Sequence, residues 1–403
     1  MAAKRKTNKA PLAVLMLNLF IIMVGIGLVI PILPYYIEEF QASGRELGLL
    51  IAIFAFMQFL FAPFWGRLSD QYGRKPLVAL GMFGFAAGEF IFAFATDLWM
   101  LFLSRAIAGI FGSALMPTAM AYVADVTTEE DRGKGMGMIG ASMALGIVIG
   151  PGIGGWLAEY QLSYPFLAAG FAAMAGGLLS IFLLSESLSN EAKAQAKNKK
   201  KTSMLKNMTE AIRGPLGFLL ILVFVISFAL TNFQAIFGFY MLKKFGYDPS
   251  EVGILVAATG IIGAIAQGAL VGRLTRAFGD SRVVTGSLLL SAGGFVLMTL
   301  AGGYWTVLLT VSLFFLGNSM VRPAVNALIS KMAGKEQGMI MGLNNSFFSL
   351  GNAIGPIVAG VLFEYHMEWP YWFGAFLMIA SLIAMKVWTA RNNEEEIAGS
   401  IHS

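Results

Sequence analysis

Twelve runs of mostly apolar residues, each long enough to cross a bilayer, constrain this chain more than any other feature. A spanning helix needs about 20 such residues. The runs cover 12–37, 47–65, 76–96, 98–123, 135–158, 164–184, 215–241, 252–271, 283–302, 304–330, 338–363 and 370–390. Of the 403 residues, 57% are hydrophobic and only 13% are charged. A water-soluble protein carries roughly 25% charged residues. Too little charge remains here to cover a surface in water, so lipid is the expected solvent. The first run is too long for a signal peptide and lacks a small-residue cleavage site, so it reads as the first span. The expected fold class is an all-α membrane protein with 12 transmembrane helices.

Several chemistries are excluded. The chain has no cysteine, and its two histidines, His366 and His402, lie near loops or the chain end. Thiol chemistry and a His/Cys metal centre are therefore absent. Gly25-x-Gly27 lies inside an apolar run and follows no strand, so it is not a nucleotide loop. No enzyme class and no cofactor are expected. No basic stripe interleaved with aromatics suggests a nucleic-acid partner. The net charge of +5 sits in loops and bears on orientation. With the N-terminus in the cytoplasm, nearly all Lys and Arg fall on the inner side; Arg45, Lys243 and Lys244 are outside, and Arg105 and Arg322 lie within spans. Both termini are then cytoplasmic. The one long polar stretch, with its run Lys193 to Lys201, reads as a cytoplasmic linker, 185–214, near anionic headgroups. It separates an N-terminal six-span domain, 1–184, from a C-terminal one, 215–403.

The two halves resemble each other. Gly66-Arg-Leu-Ser-Asp70-Gln-Tyr-Gly73-Arg74-Lys75, read as a charged turn, returns as Gly272-Arg-Leu-Thr-Arg276-Ala-Phe-Gly279. Gly146-x-x-x-Gly150-Pro151-x-x-Gly154-Gly155 returns as Gly351-x-x-x-Gly355-Pro356-x-x-x-Gly360, and Pro117 returns as Pro323. Arg132-Gly133 corresponds to Gln337-Gly338. All four pairs keep an offset of 205 or 206 residues. Parallel repeats of this kind mark one large class of secondary transporter.

Glu89 is the one acidic residue well inside a span. An unpaired carboxylate there costs several kcal/mol, so it must be protonated or paired, and a group held between those states can carry a proton. The alternative is a permanently neutral Glu89 bonded to a neighbouring helix. Arg105 cannot neutralise itself and needs water or an acid, unless it snorkels to the outer surface. Asp125 closes the fourth span; with Arg132, Asp70 and Arg74 it can form an inner ion network, or these are loop charges of little energetic consequence. Pro151 and the glycines Gly150, Gly154 and Gly155 predict a kinked, closely packed fifth span. In the second half Asn318, Arg322 and Asn326 recur every four residues beside Ser319. Ser227, Thr231 and Gln234 share a face of the seventh span, as do Asn345, Ser349 and Asn352 in the eleventh. Such polar stripes should face a watery interior. Met116, Met320, Phe237, Phe347 and Phe348 can add an adaptable apolar lining.

Gly66–Lys75, Arg105 with Gly109, and Gly146 to Gly155 together resemble the major facilitator superfamily over nearly the whole chain. Gly27-Leu-Val-Ile-Pro31-Ile-Leu-Pro34 and the Gly-Pro signature of the fifth span are similar to its twelve-span drug/proton antiporter branch, and to Gram-positive multidrug exporters of fluoroquinolones and lipophilic cations. The resemblance implies the major facilitator fold, with two pseudo-symmetric six-helix bundles and alternating access. It implies a monomer in a bacterial cell membrane that exports amphipathic small molecules on the proton gradient. Tetracycline/proton antiporters and lipid or glycolipid flippases on the same fold are the alternatives. It further implies that Glu89, Arg105 and Asp125 couple protons. A gate would comprise Gly66, Asp70, Gly73, Arg74, Lys75, Arg132, Gly150, Pro151, Gly154 and Gly155. Met116, Gln234, Phe237, Asn318, Ser319, Arg322, Asn345 and Phe348 would meet the substrate. The chain departs from its look-alikes in two ways. Gln234 and Ser319 stand where such exporters often carry acids, and Ile22 stands where tetracycline antiporters usually carry one.

Overall fold

A computed structural model describes residues 9–189, 193, 211–212, 214, 216–332 and 337–401. Among them, twelve helices are long and apolar enough to span a membrane, and no strand forms. The spans are Ala10–Glu39, Gly44–Tyr72, Arg74–Ala93, Leu98–Val126, Asp131–Ala158, Tyr164–Leu183, Gly217–Phe245, Pro249–Phe278, Asp280–Thr299, Tyr304–Met332, Ile340–Tyr365 and Trp369–Arg391. The basic cluster Lys4–Lys6 and the linker lysines Lys197 to Lys201 lie outside the described residues.

The helices differ from the hydropathy reading where backbone geometry overrides apolarity. The second span continues as helix through Gly66–Tyr72 and the eighth through Gly272–Phe278, so neither Gly-Arg-Leu stretch is a turn. A single residue breaks each helix: Gly73 at φ 110° and Gly279 at φ 82°. Only glycine adopts such angles without strain. The fourth span, read as one run, is two helices, Leu98–Gly112 and Leu115–Val126. Pro117 lies in the first turn of the second piece and cannot donate a backbone bond across the break. Ser113 Oγ donates to the Ile110 carbonyl there at 2.7 Å.

The chain packs as two compact units, Met1–Thr202 with Met241–Ala257, and Ser203–Tyr240 with Ala258–Ser403. In the first, the glycine face of the fifth span lies on the first span. A Cβ added to Gly146 would stand 2.7 Å from the Phe20 carbonyl oxygen, and one on Gly150 2.7 Å from that of Val24. Gly154 meets Leu28, and Gly155 and Pro151 meet the start of the eighth span at Pro249 and Gly253. The second unit repeats the arrangement. A Cβ on Gly351 would stand 2.5 Å from the Phe224 carbonyl oxygen and one on Gly355 2.6 Å from that of Phe228. Small residues four apart let two backbones approach, which substitutes for the hydrophobic drive that lipid removes. Leu15, Ile22, Val78, Phe85 and Tyr122 centre the core of the first unit. An aromatic cluster fills the second, with Phe233 stacked on Phe314 at 4.3 Å between centroids and on Phe237 at 5.6 Å.

Gly150→Ala and Gly355→Ala should each destabilise the protein by about 1–3 kcal/mol through overpacking. Gly137, where a Cβ would meet nothing within 4 Å, should instead gain up to about 1 kcal/mol of helix propensity as alanine. Thermal unfolding in detergent distinguishes the two signs.

Candidate functional site

The break at Gly73 sets Arg74 at the first position of the third-span helix, one turn beyond Asp70. Arg74 is 5% exposed. Its Nη1 donates to Asp70 Oδ1 at 2.6 Å and Ser69 Oγ at 2.8 Å, and its Nε donates to Asp125 Oδ2 at 3.1 Å. The Arg74 backbone N–H donates to Glu186 Oε1 at 2.9 Å, and the Glu186 carboxylate fills the space a Cβ on Gly73 would need. Ser187 Oγ donates to Asp125 Oδ2 at 2.8 Å. One guanidinium thus ties together the second, third and fourth spans. Glu186 adds the segment after the sixth. An arginine at a helix start opposes the macrodipole, and the Glu186 carboxylate restores a negative charge there. Gly66 lies against Pro117 of the fourth span. Arg132 is exposed in the first turn of its helix, behind the Thr128 cap, and neither it nor Lys75 forms an ion pair among the described residues.

The second unit holds a counterpart that sequence reading missed. Lys331 Nζ lies 2.5 Å from Asp280 Oδ2. Asp280 and Lys331 fall 206 residues after Arg74 and Asp125, so the ion pair recurs with its signs exchanged. The repeat offset was the signal for it. Asp280 starts its helix and Lys331 ends one, and both signs agree with the macrodipole, so no second carboxylate is needed. Nothing in the sequence marked Glu186, which reads as the first acid of a linker.

Deeper in the first unit, Glu89 of the third span is fully buried and Arg105 of the fourth is 3% exposed. Arg105 Nη2 donates to Glu89 Oε1 at 3.0 Å. Gly88 permits this approach, and Ser104 Oγ donates to its carbonyl at 2.8 Å. Glu89 Oε2 and Arg105 Nε have no partner among the described residues. The Arg105 guanidinium carbon lies 4.7 Å from the Phe92 ring centroid, 5.8 Å from that of Phe166 and 5.9 Å from that of Phe54. Arg105 therefore sits in an aromatic box and does not reach the outer surface. Asp125 stands apart from this pair, on Arg74.

In the second unit the polar stripes part company. Ser227 Oγ bonds Asn352 Oδ1 at 2.6 Å, and Thr231 Oγ1 donates to the Gly351 carbonyl at 3.3 Å, so this face of the seventh span packs on the eleventh. Asn344 Nδ2 donates to Asn326 Oδ1 at 2.9 Å, while its neighbour Asn345 is exposed. Phe348, one turn beyond Asn344, covers Arg322, whose guanidinium carbon is 3.5 Å from the ring centroid. Ser319 lies against Gly263 of the eighth span. Phe237 is buried in the aromatic cluster, Met116 packs against the first unit's core, and Gln234 is half-buried. Among the described residues no group of His, Cys, Asp and Glu is arranged to hold a metal.

The sequence profile of the Major Facilitator Superfamily matches residues 15–239 and 219–401. The chain belongs to this superfamily: it is a multi-pass membrane transporter of small molecules, not an enzyme. It is 34% identical to Multidrug resistance protein 2 of Bacillus subtilis, over 96% of this chain and 97% of that protein. Identity to Multidrug resistance protein 1 of B. subtilis is 37%, over 94% and 96%. Identity to Quinolone resistance protein NorA of Staphylococcus aureus is 34%, over 93% and 95%. Among solved structures, a mutant of the nucleoside transporter NupG superposes with a TM-score of 0.79 at 14% identity, covering 94% of this chain and 99% of that one. A bacterial Spinster homologue, inward-facing and occupied, gives 0.74 at 14% identity, covering 96% of each. These structural likenesses establish the fold.

Arg74→Ala should cost about 2 kcal/mol, because it strips part-buried charge-assisted bonds from two carboxylates. Lys331→Ala should cost about 1–2 kcal/mol, since the Lys331 side chain is 71% exposed but the Asp280 carboxylate it leaves unpaired is 7% exposed. Unfolding of the purified variants in detergent ranks them.

Proposed function

We propose that the chain is a proton-coupled exporter of amphipathic small molecules, acting as a monomer by alternating access in the bacterial plasma membrane, with both termini cytoplasmic. The observation that carries this reading is the buried Glu89–Arg105 pair. A proton arriving at Glu89 Oε2, the oxygen without a partner, cancels the negative charge and weakens the pair. Arg105 stays cationic, because a guanidinium does not give up its proton. The rings of Phe92, Phe166 and Phe54 then hold the cation. Loss of the proton restores the ion pair. Each state is stabilised by its own neighbours, and coupling follows if outward and inward conformations favour different ones. The names of the relatives, for multidrug and quinolone resistance, support efflux of amphipathic compounds. The Asp70–Arg74–Asp125 cluster supplies a latch for one conformation.

In proteoliposomes, Glu89→Gln should reduce drug-driven proton movement by at least about tenfold. The unfolding temperature should stay close to wild type, because glutamine can still accept from Arg105. An undiminished pH signal would assign the proton to another group. Asp70→Asn should slow transport while leaving drug affinity within about twofold; equal loss of both would remove the latch.

A further inference from the structure

We infer that Arg322 recognises a carboxylate on the transported molecule, so that this chain selects amphipathic acids and zwitterions. The inference rests on the export reading and names its substrate class. Arg322 lies four residues past the middle of the 29-residue tenth span, Tyr304–Met332, about 6 Å along the helix. That is well inside a bilayer core about 30 Å thick. A guanidinium at this depth draws water or an answering anion. Among the described residues no carboxylate supplies that anion. The second unit's carboxylates whose side chains are described, Asp280, Glu364 and Glu368, all stand at span ends, and Asp280 is taken by Lys331. No hydrogen bond or ion pair reaches the Arg322 guanidinium among the described residues; its one close partner is the Phe348 ring.

The surroundings suit an aryl carboxylate. The ring of Phe348 covers a face of the guanidinium and leaves its in-plane N–H groups for a bidentate acceptor. One turn earlier, Asn318 is 5% exposed and its Nδ2 donor has no partner among the described residues. It shares the helix face of Arg322, since residues four apart are neighbours. Asn326, one turn later, is already engaged by Asn344. The stripe therefore offers one cation and one unspent amide, with an aromatic surface beside them. A cationic substrate would meet like charge here, whereas a carboxylate would complete the site.

Full-length protein in lipid nanodiscs tests this with 1-pyrenebutyrate and its neutral amide, measured above the pKa of the acid. Wild type should bind the acid about tenfold or more tightly than the amide. Arg322→Gln should bring that ratio to within about twofold of unity. Arg322→Lys keeps the charge and should retain a preference of several fold. An absent preference in wild type overturns the inference, as does an unchanged ratio in Arg322→Gln. So does an Arg322→Lys protein that discriminates no better than Arg322→Gln. Proton-gradient-driven efflux of 1-pyrenebutyrate from wild-type proteoliposomes is read in parallel. If it is missing while the acid preference stands, the export reading fails and the carboxylate site survives.

Discussion

An arginine carried below the headgroups cannot shed its charge, so whatever surrounds it must answer that charge. Three arginines organise this molecule in that sense, and each is answered differently. Arg74, at a span end, has two carboxylates and a hydroxyl. Arg105 has one carboxylate and three rings. Arg322 has one ring and no acid among the described residues. The fewer the fixed partners, the more the site depends on something that comes and goes. On the reading proposed here, that is nothing at Arg74, a proton at Glu89 and a substrate anion at Arg322.

The internal duplication shows which constraints belong to the fold and which belong to each half. The glycine faces of the fifth and eleventh spans serve the same purpose, since both bring a helix against the opening span of its half. The single-glycine breaks at Gly73 and Gly279 also match. The ion pair at the ends of the spans keeps its place but is reversed in sign. Arg74–Asp125 needs Glu186 to satisfy the helix start, whereas Asp280–Lys331 does not. Geometry is shared because backbone packing admits few solutions. Charge sign is free to change because a pair attracts in either order.

Much of this was legible beforehand. Twelve apolar runs, low charge and the 205–206 offset implied a twelve-helix membrane protein with two related halves, and Glu89 and Arg105 stood out because charges are rare in spans. Other features did not show. Hydropathy cannot see that Gly66–Tyr72 stays helical, since a charged helix and a charged turn read alike. It treats Pro117 as one more residue of a run. Periodicity placed Asn345 on a polar face, where it is exposed, but gave no sign that its neighbour Asn344 is buried and bonded to Asn326, since that contact is between two spans.

The amino-acid order alone determined the solvent, the number of spans, the repeat and the scarcity of charges that makes each one meaningful. These follow from transfer energetics, which sum over residues without regard to who touches whom. Tertiary structure alone decided the partners: that Glu89 meets Arg105, that Glu186 returns from beyond the sixth span to Gly73, and that Arg322 meets a ring and no described carboxylate. Pairing depends on distances of a few ångströms between residues far apart in the chain, and no one-dimensional pattern carries that information.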